Sequence, residues 1–178
     1  MFQVRIHGRG GQGVVTAAEM LSIAAFLEGK HAQAFPSFGS ERMGAPVVSF
    51  CRISNREIRL REPVQEPNAV IIQDRTVIGP ARAFQGIVSG GYALINSPEA
   101  EYEDQGRDDI TMKCVGATEI ALEHIGKPLP NAILLGSFAA LTKIIQLDSV
   151  LEAIKTKFSG AIAEKNSVAA KIAYDRLA

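Results

Sequence analysis

Gly8-Arg9-Gly10-Gly11-Gln12-Gly13 sets four glycines, one guanidinium and one amide side chain in six consecutive positions. Gly8, Gly10 and Gly13 have the G-x-G-x-x-G spacing, which lets a backbone turn tightly and bring unobstructed N–H groups up to an anion. Arg9 adds a permanent positive charge inside the loop. The chemistry offered is recognition of a phosphate-bearing ligand. Two or three charge-assisted hydrogen bonds of about 1.5–3 kcal/mol each would hold one phosphate group rather than a whole cofactor. The alternative is that the glycines only let a strand and a helix pack closely. Against it stands the conformational entropy that so many glycines lose on folding.

A second constellation is Phe35-Pro-Ser-Phe-Gly-Ser-Glu-Arg-Met-Gly-Ala-Pro46, with two aromatics, Ser37, Ser40, Glu41 and Arg42. The planar fork of Arg42 suits phosphate or carboxylate. A structural ion pair with Glu41 or another acid is the competing use of that charge.

Other chemistries fit less well. Val14-Val15 stands where a nucleoside triphosphatase loop needs Lys-Ser/Thr, so nothing would neutralise a transferring phosphate. A dinucleotide site wants an acid at the end of the second strand to hold ribose hydroxyls. His31-Ala-Gln-Ala-Phe35 ends without one: Glu28 comes too early and Glu41 too late. His7, His31 and His124 fall on a strand, a strand start and a helix end, and read as scaffold residues. No triad, paired carboxylates or metal-ligand set stands out, so no catalytic residue and no metal ligand is expected in this chain. Cys51 and Cys114 are far apart and lack CxxC spacing. They read as two buried thiols of a cytoplasmic protein, too few for an iron–sulfur cluster.

The elements that must position the glycine loop are legible around it. Residues 2–7 read as a buried strand and 14–28 as a helix ended by Gly29, so the loop lies between a strand and a helix N-terminus. There the helix dipole favours negative charge. Residues 31–35 form a second strand and 36–44 a loop broken by Pro and Gly. Residues 45–53 alternate as a strand, 54–55 turn, and 57–60 return as its hairpin partner. Residues 69–73 are an apolar run suited to a parallel sheet. Residues 76–84 suggest a short helix, 91–95 and 110–115 further strands, and 99–109 an exposed acidic loop. Helical patterning then covers 117–125, 131–145 and two segments between 149 and 178, with Asp148 as the expected N-cap of 150–158. The fold expected is α/β: a three-layer α/β/α arrangement with a mostly parallel sheet, an antiparallel hairpin and a helical C-terminal part.

Composition sets the outer bounds. The 178 residues suit one domain spanning 1–178. Hydrophobic content of 47%, charged content of 21% and a formal charge of zero are ordinary for a folded soluble protein. No block of Lys or Arg points to nucleic acid. No signal peptide is visible, and no apolar run approaches the roughly 20 residues of a membrane helix. A cytoplasmic protein with neither nucleic acid nor membrane as partner is expected.

Taken together, Gly8–Gly13, the run Ser37-Phe-Gly-Ser-Glu-Arg-Met-Gly-Ala-Pro-Val47, the stretches 53–61 and Glu66-Pro-Asn-Ala-Val-Ile-Ile-Gln-Asp74, and Asn131-Ala-Ile-Leu-Leu-Gly-Ser-Phe138 resemble the gamma subunit of the 2-oxoacid:ferredoxin oxidoreductases. The resemblance covers essentially the whole chain. The family's loop often reads Phe-Gly-Pro-Glu-Arg-Arg-Gly. Here Ser40 and Met43 replace the proline and one arginine, which leaves one positive charge fewer. The resemblance implies a multi-subunit enzyme that converts a 2-oxoacid, with pyruvate favoured, and coenzyme A into acyl-CoA and CO2 while reducing ferredoxin. It implies alpha, beta and delta partner subunits, with thiamine diphosphate, magnesium and iron–sulfur clusters held by those partners. It also implies a role for Gly8, Arg9, Gly10, Gly11, Gln12, Gly13, Ser40, Glu41 and Arg42 in holding coenzyme A. A purely bridging subunit, or an independent NAD(P)-dependent dehydrogenase, are the alternatives from other functional classes.

Overall fold

The central strand β1 (Phe2–Arg9) organises the molecule, because it carries the glycine loop at its end and has a partner on each side. In this computed structural model, which describes residues 1–37, 43–102 and 106–178, the chain leaves β1 and enters helix α1 (Val14–Leu27). It then forms β2 (His31–Pro36), β3 (Pro46–Ser54), β4 (Ala69–Ile72), β5 (Tyr92–Asn96) and β6 (Thr111–Val115). The six strands lie in the order β2-β3-β1-β4-β5-β6. β1, β4, β5 and β6 run parallel to one another, whereas β3 is antiparallel to both β1 and β2.

The expected hairpin is therefore present, but its second arm is β2 and not residues 57–60. Both edges of β3 are occupied, by β2 through Phe35↔Phe50 and by β1 through Val4↔Cys51, so no edge is left for a later strand. The segment after β3 instead supplies carbonyls to the sheet's side chains. Leu60 O accepts from Gln33 Nε2 at 2.9 Å and Glu62 O accepts from Arg52 Nη2 at 2.5 Å.

Alternation along the strands sorts the two faces. Val4, Ile6, Cys51, Ile53, Ala69, Ile71 and Leu94 point to the face covered by the helices. α1 packs there through Ala17, Ala18, Met20, Leu21, Ala24 and Ala25, whose small alanines let the helix approach the sheet closely. The C-terminal helices are α2 (Ala117–His124), α3 (Asn131–Thr142), α4 (Leu147–Lys157) and α5 (Gly160–Asp175). α3 is apolar all round and buries ten of its twelve residues, as a helix sandwiched between sheet and helix must. Gly136 is where α3 meets α5: a Cβ there would run into the Ala170 carbonyl.

The opposite face buries Val70, Ile72, Ala93 and Ile95 under Val77, Ile78, Ala83 and Ile87. Residues 76–84, expected as a helix, form only a 3-10 turn at Arg75–Val77 followed by irregular turns. Gly79-Pro80 prevents a longer run, so this third layer is turn-built. At the other end, α3 stops at Thr142 because Lys143 turns left-handed at φ 55. α4 begins one turn earlier than expected, so Asp148 sits inside its first turn rather than capping it. There its charge still complements the helix dipole.

Candidate functional site

The glycine loop connects the C-terminal end of β1 to the N-terminus of α1. Gly11 and Gly13 adopt φ of +92° and +73°, which L side chains rarely enter. Gly13 occupies the N-cap without a side chain to offer, and the first helical bond runs from Ala17 N–H to Gly13 O at 2.9 Å. The N–H groups of Val14, Val15 and Thr16 therefore precede the helical ladder and find no acceptor among the described residues. Two amides in the loop are committed within the protein. Gly10 N–H donates to Ala45 O at 2.9 Å and Gln12 N–H to Arg9 O at 3.1 Å. The amides of Gly11 and Gly13 have no acceptor among the described residues. The uncommitted amides of the loop are thus Gly11 and Gly13, followed by the first turn of α1, and not an unbroken run from Gly10 to Gly13.

Arg9 and Gln12 brace this loop. Arg9 N–H donates to Gln12 Oε1 at 2.7 Å, and Gln12 Nε2 donates to Asp74 Oδ2 at 2.9 Å. The Arg9 guanidinium donates to Thr76 Oγ1 at 2.7 and 3.0 Å and to Gly44 O at 2.9 Å, and lies 3.5 Å from Asp74 Oδ2. Burial works against the ionised Asp74 carboxylate, but the hydrogen bonds from Thr76 and Gln12 and the nearby Arg9 charge outweigh it and hold its carboxyl below the ordinary range. Asp74 and Thr76 were absent from the residues singled out in the sequence. The signal was an acid directly after an apolar strand and two residues before a threonine, the pattern of a capped turn: Thr76 N–H donates to Asp74 Oδ1 at 2.9 Å.

Residues 36 and 37 and the start of β3 complete one wall. Arg9, Gly10, Gly11, Gly13, Val15, Thr16, Ser37 and Val47 line an open cleft of about 720 Å³. Met43 pairs with Gly10 in an isolated bridge and reaches over Gly11, its Sδ 2.6 Å from where a Cβ would stand. Its side chain is otherwise open, at 87% exposure. Ser40, Glu41 and Arg42, the other half of the expected site, lie outside the described residues. Ser37 and Met43 on either side of them border the glycine loop.

Beneath the site, His7 is 2% exposed and neither ring nitrogen has a partner. Burial and the adjacent Arg5 charge lower its pKa to about 3, so the ring is neutral. It is a scaffold residue, as the sequence implied. Cys51 is buried as expected, its thiol pushed up to about 12 by desolvation, and inert, whereas Cys114, near the end of β6, is only half-buried. Among the described residues no group of three or more His, Cys, Asp or Glu could hold a metal, and no helix is long and apolar enough to cross a membrane.

Comparison with known proteins gives this geometry a setting. Residues 3–176 match the family model described as pyruvate ferredoxin/flavodoxin oxidoreductase. The chain is 44% identical over 179 residues to the pyruvate/ketoisovalerate oxidoreductases common subunit gamma of Pyrococcus furiosus, covering 99% of this chain and 97% of that one. It superposes on the pyruvate oxidoreductase subunit PORC of Thermotoga maritima with a TM-score of 0.82 at 33% identity, covering 98% and 95% of the two chains. It also shares its fold, at a TM-score of 0.81 and 17% identity, with part of the 2-oxoglutarate:ferredoxin oxidoreductase of Magnetococcus marinus, solved with 2-oxoglutarate, coenzyme A and succinyl-CoA bound. There the match covers 99% of this chain and 31% of the longer one.

Proposed function

The chain belongs to the pyruvate ferredoxin/flavodoxin oxidoreductase family, and we propose that within it this subunit grips the phosphate end of coenzyme A where it meets its sister subunits. It is a gamma-type subunit of an oxidoreductase that acts on pyruvate or related 2-oxoacids. The reaction joins a 2-oxoacid and coenzyme A into acyl-CoA and CO2 and sends two electrons to ferredoxin. In our reading pyruvate is the substrate, 1–178 forms one domain, and the complex is cytoplasmic. The alpha, beta and delta subunits supply thiamine diphosphate, magnesium and iron–sulfur clusters.

One observation carries the coenzyme A assignment: the unspent amides of Gly11, Gly13, Val14, Val15 and Thr16 converge on the cleft that Arg9 borders. Backbone donors at a helix N-terminus favour phosphate oxygens through hydrogen bonds and dipole together. Gln12 and Asp74 keep the loop in the conformation that presents them. Arg42, which lies outside the described residues, is the second cation this reading calls on. The subunit contributes by proximity: gripping the far end of a long thiol carrier restricts where the thiol can travel and delivers it to the acyl-bearing centre of its partners.

The test is Arg9→Ala with Arg42→Ala in the reconstituted complex. Loss of one or two charge-assisted contacts of about 1.5–3 kcal/mol each should raise the KM for coenzyme A at least about tenfold. Decarboxylation of 2-oxoacid without coenzyme A should stay near the wild-type rate. An unchanged KM would remove the assignment. A bridging role without ligand is favoured by a different observation, that Arg9 already bonds Thr76, Gly44 and Asp74. On that reading the variants would weaken subunit association and leave the KM of the intact complex alone.

A further inference from the structure

The sheet ends on β2 at one side and β6 at the other. β6 carries an exposed lysine, Lys113, the usual guard of an open edge. β2 reads His31-Ala-Gln-Ala-Phe-Pro36 and has no Lys, Arg, Asp or Glu. Ser37 N–H donates to Val48 O at 2.8 Å, just beyond the pairs Phe35↔Phe50 and Gln33↔Arg52. That bond fixes the phase of the antiparallel ladder. His31, Gln33 and Phe35 direct their backbone groups to β3, and Ala32, Ala34 and Pro36 direct theirs outward. The N–H and C=O groups of Ala32 and Ala34 meet no partner among the described residues.

This outward row is complementary to itself in one register. Paired antiparallel about Gln33, Ala32 of one copy faces Ala34 of the other, and each such pair exchanges both backbone bonds. Neither slip works. Centring on Ala34 sets Ala32 against Pro36, which has no N–H. Centring on Ala32 calls on Lys30, whose N–H already donates to Ala25 O at 3.1 Å. The side chains agree with the central register: Gln33 meets Gln33, His31 meets Phe35, and no acid or base is set against its like. On the helix-covered face Ala32 and Ala34 pack towards the core and are too small to hold a neighbour away. Beside them the end of α1 exposes Phe26 at 73% and Leu27 at 52%. Phe26 shares a hollow of about 550 Å³ with Ala32 and Ile58.

We propose that β2 is an interaction surface for a second copy of this chain, joining the two sheets edge to edge about a two-fold axis at Gln33. Such an interface presents the same patch from both copies and closes on itself. It uses up the unguarded edge of each copy and leaves nothing there for a third chain to extend. Phe26 and Leu27 cover the seam from the helix side. The proposal does not depend on what the glycine loop binds.

The test follows the full-length chain by sedimentation over a wide range of concentration. A dimer in reversible exchange with monomer is expected. Ala34→Pro removes one outward donor and spares the β2–β3 bonds, because Ala34 makes none of them. It should weaken the dimer at least about tenfold. Phe26→Glu alters only an exposed side chain and should also weaken it, through like charges brought together at the seam. Gln33→Cys reads the register: across an antiparallel pair of this phase the opposed Cβ atoms are close enough for a disulfide. Mild oxidation should therefore give a covalent dimer of the variant but not of the wild-type chain, and adding Ala34→Pro should abolish it. A chain that stays monomeric at every concentration would overturn the proposal, as would a dimer that neither Ala34→Pro nor Phe26→Glu weakens. If Ala34→Pro leaves self-association alone and instead blocks binding of the sister subunits, the edge belongs to one of them and the proposal is equally overturned.

Discussion

His7 is a residue whose chemistry shows in stability and not in catalysis. Its folded pKa, about 3, lies below the ordinary 6.5 because burial and Arg5 disfavour the charged ring. Between those two values the unfolded chain binds a proton that the folded chain refuses, so stability falls as the pH drops from about 6.5 towards 3. Near the middle of that window the folding equilibrium changes up to about tenfold per pH unit from this residue alone. His7→Leu should flatten the dependence of the urea midpoint between pH 7 and pH 5, and an equally steep slope in the variant would contradict the assignment. Asp74 also loses stabilisation in acid, but lower on the scale. Its carboxyl is depressed, so its contribution is complete above the unfolded value of about 3.9 and disappears as the pH falls through the folded one. Asp74→Asn should remove that component and loosen Gln12, which is read as a weaker response of KM for coenzyme A to Arg9 substitution. Neither role was legible in the sequence. His7 looks like any strand histidine, and Asp74 gains its partners only because parallel pairing of β1 and β4 puts the two strand ends side by side.

Among the elements, the strand–glycine–helix unit at the N-terminus was readable because every local signal agrees: an apolar run, a glycine cluster, then helical spacing. The hairpin was misassigned because alternation in 57–60 says only that a segment is strand-like. Which edges of β3 are free depends on the rest of the sheet. The turn at 75–86 was misread for a related reason, since apolar residues that cover a sheet face need not be helical to do so. The α3–α5 crossing is the element contact most exposed to perturbation. Gly136→Ala would drive a methyl group into the Ala170 backbone, and overpacking of this kind commonly costs about 1–3 kcal/mol. A lower thermal midpoint with an unchanged KM for coenzyme A is the expected result. Gly13→Ala combines a left-handed φ with a collision against Asn131. It should cost stability and also raise the KM for coenzyme A, because the amides it displaces are those proposed to hold phosphate.

For the molecule as a whole, the sheet places the glycine loop, the end of β4 and the start of β3 on one side, while the helices occupy one face behind them. This agrees with the fold class legible in alternating strands and helices. The likeness to a segment covering 31% of a longer oxidoreductase chain shows that the same fold also exists joined to other parts. As a gamma-type subunit, the isolated chain should fold with a cooperative transition yet turn over no 2-oxoacid, with activity returning when the partner subunits are added. Turnover by the chain alone would contradict its standing as one component of a larger enzyme. Motif spacing could point to phosphate but could not say which amides of the loop stay uncommitted. That depends on Ala45 and Arg9 having already taken two of them.

Three links tie the outer segment to the loop: Gly10 N–H to Ala45 O, Gly44 N–H to Gly10 O, and Arg9 to Gly44 O. They make the two strips of backbone a single lever. A neighbouring polypeptide that pressed on residues 43–45 would tilt the amides of Gly11 and Gly13 without ever touching them. Docking and cofactor affinity would then be geared to one another through three hydrogen bonds.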